Sequence, residues 1–259
     1  MIREGSHMGS QGGGRQPKYQ RIALELKAAI ETGEYGPGDR LPGENDLMAA
    51  HAVARMTARQ AIGVLRAEGL AEARKGAGVF VREYRPIRRR GVQRLSAGLW
   101  GEGRSVWSMD AEGWDLKLDS VSVAEESPPE AIRSLLGLAE GAPVCLRRRR
   151  YALNGRPVML ATSHLDAGLV AGTAITEIDT GPGGIYARLG EIGHRPVRFR
   201  EEIRSRMPAP LETDRLSLPA GTPVVLIRRT AFTEEGTAVE VNDMVLDSSA
   251  YILEYDFTP

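Results

Sequence analysis

The chain has few of the residues on which most small reactive sites depend. Its 259 residues hold one cysteine, Cys145, so neither an intramolecular disulfide nor a cysteine-based metal cluster can form. That economy fits a reducing compartment, and the expected location is cytoplasmic. Outside the opening GSHM stretch the histidines are His51, His164 and His194, at none of the short spacings that metal sites favour. No apolar run approaches the roughly 20 residues that a membrane span needs, and no secretory signal is visible. There is no GxxxxGK[ST] loop, no nucleophile–base pairing and no candidate Schiff-base lysine, Lys117 being the only lysine after residue 75. These absences point away from membrane, metal and covalent chemistry. They predict a binding protein without a cofactor.

What is present is unevenly distributed. Residues 15–94 carry 16 Lys/Arg against 9 Asp/Glu, whereas residues 95–259 carry 17 against 24. A net charge of zero therefore conceals a basic front and an acidic remainder, and such a split suggests different partners for the two parts. MIREGSHMGSQGGG, residues 1–14, reads as a tag remnant or disordered leader. Beyond it the expected order is a helical domain over 15–82, a basic linker over 83–95 and a strand-rich domain over 96–259.

PKYQRIALELKAAIETGEY has the apolar spacing of an amphipathic helix, with Pro17 and Gly33 as punctuation. The turn-rich PGDRLP leads to a short helix, GENDLMAAH, and then to VARMTARQAIGVLRAEG, residues 53–69. On that third helix Arg55, Arg59 and Arg66 fall within roughly 40° of one another. Ala54, Ala58, Ala61, Ile62 and Leu65 fill the adjoining sector, so one edge docks and the next presents guanidinium groups. LAEARKGAGVFV follows as a hairpin around Lys75–Gly78. Three helices and a hairpin are the order of a winged helix-turn-helix, whose third helix enters the DNA major groove. Arg55 and Arg59 then face base edges or phosphates, where a guanidinium fork can make two hydrogen bonds. Thr57 and Gln60 reach a phosphate or a base. Arg66, about 16 Å further along the axis, meets a flanking phosphate or a protein carboxylate. Arg74, Lys75 and Gly76 form the wing tip.

These residues resemble the DNA-binding domain of the GntR transcription regulators, through PGDRLPGENDL, VARMTARQAI and GAGVFV in that order. The resemblance implies DNA contacts at Arg55, Met56, Thr57 and Arg59 and a wing glycine at Gly76. Asn45 stands where the family usually has an arginine, which weakens one contact or changes its base preference. Ala54 stands where serine or threonine commonly caps the recognition helix, so one end-of-helix hydrogen bond is lost or replaced.

The linker REYRPIRRRGVQRL, 82–95, holds six arginines and reads as a solvated strand able to add sequence-independent phosphate affinity. Beyond it lies an internal repeat: LAEGAPVCLRRRRYALNGRPV (138–158) parallels LPAGTPVVLIRRTAFTEEGTAV (218–239). Each is preceded by a proline-led helix start, SPPEAIRSLLG and MPAPLETDRLS. Two strand–helix–hairpin units predict an antiparallel sheet with pseudo-twofold symmetry and a cleft between the halves. Within LRRRRY, Arg147 and Arg149 share one strand face with Tyr151, and Arg148 and Arg150 share the other with Leu146. The arginines either form surface salt bridges or line a pocket for a carboxylate or phosphate.

Residues 96–257 resemble the UTRA effector-binding domain of the HutC subgroup of GntR regulators. The likeness is carried by GAPVCLRRRRYALNGRPVMLATSHLD, GGIYARLGEIGHRPV and GTPVVLIRRTAFTEEGTAVEV. It implies a chorismate-lyase-like α+β fold, homodimerisation and a small-molecule effector in the sheet cleft. The implied ligand positions are Arg149, Tyr151, Ala161, Ser163, Gly184, Tyr186, Arg195 and Glu240. In sugar-phosphate binders an Arg-x-Arg motif supplies two arginines; anchored on Gly155 the second falls on Tyr151, and without that anchor Arg148 and Arg150 fit. Ala161 replaces a common glutamate, and both departures argue against assigning a sugar phosphate. The leading expectation is an effector-responsive repressor that binds duplex operator DNA as a homodimer. The alternatives are a dimeric repressor without an effector and a chorismate-lyase-like enzyme.

Overall fold

The computed structural model describes residues 16–83, 86–91, 95 and 115–256, in two units that divide after Glu83. The leader over 1–14, parts of the basic segment over 83–95 and residues 96–114 of the second domain lie outside the described residues.

In the first unit the helices are α1 (Lys18–Glu31), α2 (Glu44–His51) and α3 (Arg55–Ala67), followed by the hairpin β1 (Ala71–Arg74) and β2 (Gly78–Val81). Ile22 and Leu26 of α1, Leu47 of α2, and Ala58, Ala61, Ile62 and Leu65 of α3 form one core with Ala71 and Val81 of the hairpin. The small residues of α3 let α1 and α2 approach closely. Ala54 is an exception to the expected apolar edge: it is exposed and sits at the N-cap of α3 without a side-chain hydrogen bond. Ala52 takes the left-handed conformation at φ 48°, which turns the chain sharply between α2 and α3. In the wing, Gly78 has φ 118°, and a Cβ there would come within 3.2 Å of the Arg40 Nε. Glycine lets that guanidinium lie along the hairpin.

The second unit is built on six antiparallel strands. They are β4 (Leu116–Glu126), β5 (Val144–Leu153), β6 (Arg156–Asp166), β7 (Arg198–Arg206), β8 (Val224–Phe232) and β9 (Ala238–Asp247). Their spatial order, β4-β5-β6-β9-β8-β7, places β6 beside β9 at the centre, so each half of the sheet comes from one copy of the repeat. The helices α4 (Glu130–Leu136) and α7 (Pro210–Leu216) occupy matching places before β5 and β8. Both copies carry a register irregularity near the end of the strand, after Tyr151 and after Ala231. Asn154 and Gly155 close the β5–β6 hairpin at φ 49° and 78°, the positive values that such a two-residue turn requires. Between β6 and β7 the chain forms α5 (Ala167–Val170), a 3-10 turn at Ala174–Thr176 and α6 (Gly184–Glu191).

The basic segment departs from its expected solvated form. Ile87–Arg90 make a strand, β3, that pairs in parallel with β10 (Tyr251–Glu254). Strand alternation explains it: Ile87 and Arg89 are buried, whereas Arg88 and Arg90 are exposed and pair with Glu254. Ile87 and Tyr251 join a core with Tyr151, Met159, Ile227, Met244 and Leu246 of the sheet. A second core, led by Leu165, Ile175, Ile185 and Leu189, forms where α5 and α6 meet the sheet.

Candidate functional site

The first candidate surface is the outer face of α3. Packing of Ala58, Ile62 and Leu65 leaves Met56, Arg55, Arg59, Gln60 and Arg66 exposed and Thr57 half-buried. The Arg59 Nε donates to Glu44 Oε1 at 2.8 Å, and the Arg55 Nη2 donates to Asn45 Oδ1 at 3.2 Å. Both arginine side chains nevertheless remain 61% exposed. Arg59's hydrogen bond holds the Glu44 carboxyl below the usual carboxylate range. The start of α2 thus orients the two guanidiniums without covering them. At the wing tip Arg74 lies 4.4 Å from the Phe80 ring centroid and pairs with Glu72, while Lys75 and Gly76 stay exposed. Asn45, which reads as a lost family contact, supports Arg55 from below. Glu44 was not among the residues singled out from the sequence. Its signal was its place two residues before Asp46, whose carboxylate accepts the Gly43 N–H at 2.9 Å and marks the start of a helix.

The second candidate site is a buried polar band on one face of the six-stranded sheet. The register sets Arg147 beside Ser163, Ser163 beside Asn242, Asn242 beside Arg229 and Arg229 beside Glu201. Cross-strand partners point to the same face, so these five side chains form a row across five strands. Arg149 and Glu240 flank the row. The Arg149 guanidinium donates to the Ser163 hydroxyl and hydrogen-bonds Tyr151. Ser163 donates to Glu240 Oε1 at 2.5 Å, and the Tyr186 hydroxyl donates to Glu240 Oε2 at 2.7 Å. Tyr186 comes from α6, which begins at Gly184 with φ 66°. Its ring stacks near Phe199 and lies 5.5 Å from the Arg229 guanidinium carbon. Burial pushes the Tyr186 hydroxyl well above its ordinary range and raises Tyr151 as well, so both stay protonated as neutral hydrogen-bonding groups.

The structure therefore brings Arg149, Tyr151, Ser163, Tyr186 and Glu240 into one connected group. Ala161 adjoins it as the cross-strand partner of Arg149. Arg148 and Arg150 do not join: strand alternation turns them to the opposite face, where they pair with Glu126 and Asp119. The Arg-x-Arg alternative built on these two residues is thereby corrected, and on that face the salt-bridge reading of LRRRRY holds. Arg195 is exposed and lies beside Gly190 of α6. Arg147 shares the polar face but is spent on the chain itself, donating to the carbonyls of Ile175, Glu177 and Ile178. Arg229, Asn242 and Glu201 were not singled out from the sequence. For Arg229 the repeat held the signal, since LIRRT aligns it with Arg149.

A winged helix-turn-helix with exposed arginines, followed by a sheet with a buried polar band, defines a DNA-binding regulator with a second, sensing unit. Comparison with known proteins agrees. Residues 18–81 match the bacterial regulatory proteins of the gntR family, and residues 111–252 match the UTRA domain. The chain is 31% identical to an HTH-type transcriptional regulator of Streptomyces coelicolor, over 94% of this chain and 93% of that one. It is 26% identical to the HTH-type transcriptional repressor NagR of Bacillus subtilis, over 86% and 88% of the two chains. The crystal structure of a GntR-family transcriptional regulator superposes at a TM-score of 0.62, with 27% identity over 94% of this chain and 98% of that one. PhnF from Mycobacterium smegmatis gives 0.54 and 25%, over 92% and 99%. The chain belongs to the GntR family of transcriptional regulators, with a UTRA domain as its second unit.

Proposed function

We propose that the protein is a cytoplasmic, homodimeric repressor that releases its operator when a small anion enters the buried polar band. The exposed Arg55 and Arg59 pair carries the DNA half of this reading. Held by Asn45 and Glu44 yet open to solvent, the two guanidiniums are preorganised for a guanine edge or a phosphate. Ala54 leaves the start of α3 without a side-chain cap, so a DNA phosphate fits that helix terminus and its dipole. Met56, Thr57 and Gln60 complete the groove-facing surface. Arg66, Arg74, Lys75 and Gly76 serve flanking backbone. The protein works by binding, not by catalysis.

Charge carries the anionic-effector half. On the polar face of the sheet the buried guanidiniums Arg89, Arg147, Arg149 and Arg229 outnumber the carboxylates Glu201 and Glu240, with the exposed Asp179 acting on Arg147 alone. Burying a guanidinium is costly, and an anion beside Arg149 and Arg229 offsets part of that cost. An anion that binds the DNA-incompetent arrangement more tightly shifts the population and lowers operator occupancy.

The test is fluorescence anisotropy of the full chain on an operator obtained by selection from random duplexes. Arg59→Ala is expected to cost about 1–3 kcal/mol at the matching base pair, with little discrimination left at that position. An unchanged affinity and base preference would remove α3 from the groove.

A further inference from the structure

One side chain in the polar band has no hydrogen-bond partner among the described residues. Asn242 is 0% exposed and sits on the central strand β9, between Ser163 and Arg229 in the cross-strand row. Neither its Nδ2 nor its Oδ1 makes a hydrogen bond among the described residues. Its neighbours differ sharply. Arg147 holds three carbonyls, Ser163 links Arg149 to Glu240, and Glu201 is bound by Arg89 and Tyr255. Buried polar atoms in folded proteins are almost always satisfied, and leaving a donor and an acceptor of one amide both unpaired is costly. A residue kept for stability alone would be apolar here, as Met244 is two positions on.

We infer that Asn242 is the specificity-determining residue of the effector pocket, reading a neutral group that both donates and accepts. This rests on the anionic-effector reading above and narrows it. A carboxylate or phosphate oxygen satisfies only the Nδ2 donor and repels Oδ1. A hydroxyl or an amide satisfies both atoms. Arg149 and Arg229, both buried on this face, can each take one anionic group of the same ligand. The ligand class is then a small dianion, a phosphate monoester or a dicarboxylate, that bears a hydroxyl or amide reaching the middle of the sheet. Shape supports the division of labour. Arg149 and Arg229 occupy equivalent places in the two repeats, on either side of β6 and β9, so a ligand spanning them passes over Asn242.

The experiment uses the full chain and two matched pairs of probes: glycerol 3-phosphate with propyl phosphate, and malate with succinate. Affinities are read by calorimetry in the wild type, Asn242→Leu and Asn242→Ser, alongside ligand-free thermal unfolding. The wild type is expected to favour the hydroxylated member of at least one pair by about tenfold, on the scale of one unpaired buried group. Asn242→Leu should erase that preference, so that both members of the pair bind alike, and Asn242→Ser should retain part of it. Without ligand, Asn242→Leu should unfold at a higher temperature than the wild type, because a leucine of similar shape has no polar atoms to desolvate. A lower unfolding temperature for the leucine variant, or a wild type indifferent to the hydroxyl, overturns the inference. Failure of every probe to bind the wild type overturns the anionic-effector reading instead; the leucine variant's unfolding temperature still decides whether Asn242 is held ready for a ligand.

Discussion

His164 shows how one side chain takes its behaviour from its surroundings. Its spacing gave no metal partner, and the structure buries it on the face of β6 opposite the polar band. Its Nδ1–H donates to the Val241 carbonyl at 3.2 Å. Burial pushes its pKa below the ordinary 6.5, with the Arg228 charge adding to the effect and the Val241 hydrogen bond and Asp243 opposing it. The folded state therefore holds His164 neutral, while the unfolded chain takes up a proton near 6.5. Stability from this residue is fully present above that value and is lost as pH falls through the lower, folded pKa. Thermal unfolding between pH 7.5 and 5 is expected to show a falling midpoint, and His164→Gln should flatten that slope. An equal slope in the variant would place the pH sensitivity elsewhere. None of this is legible in the residues around His164, because a pKa shift records burial, and burial is set by strands far away in sequence.

Between elements, the most consequential contact is the one that ties β3 to the sheet. Arg89 is 1% exposed and bound by Glu201 at 2.5 Å, with the Tyr255 hydroxyl donating to the same carboxylate. Cutting one partner leaves a buried charge alone, which costs about 3–5 kcal/mol. Chemical denaturation should show losses of that size for Arg89→Met and for Glu201→Gln, with much of each recovered in the Arg89→Met/Glu201→Met double variant. Independent, additive losses would mean that the pair is not a unit. Here sequence reading reached only part of the way. Six arginines in 82–95 read as a solvated run, because a local window cannot show that Glu201 and Tyr255 lie over one of them. The helices and wing of the first unit were legible, since α1 and α3 each hide a local apolar stripe and run into Gly33 and Gly69, and the wing turns at Gly76.

At the scale of the whole molecule, the units divide after Glu83, so the segment 84–94, with five of the arginines counted in the basic front, belongs to the second unit. No helix among the described residues is long and apolar enough to cross a membrane. If two chains pair to present two α3 helices, the operator is a two-fold sequence with half-sites spaced by the dimer. Sedimentation should report a dimer, and destroying one half-site should weaken binding by far more than one set of base contacts, since the second head otherwise binds at high effective concentration. Raising salt from about 50 to 200 mM should lower affinity steeply and linearly on logarithmic axes, the signature of phosphate contacts. A monomer with equal affinity for half and full sites would contradict the arrangement.

Periodicity, turn residues and the two copies of the repeat were sufficient to establish three helices, a wing and a divided sheet, because those signals are local and repeat along the chain. The same alternation separated Arg147 and Arg149 from Arg148 and Arg150. Which of those arginines would be buried, which would be used up on backbone carbonyls, and which side chain would be left with nothing to bond were decided only when six strands lay side by side. Pairing energies depend on desolvation and on neighbours brought together across the sheet, and neither is written in the order of residues along one strand.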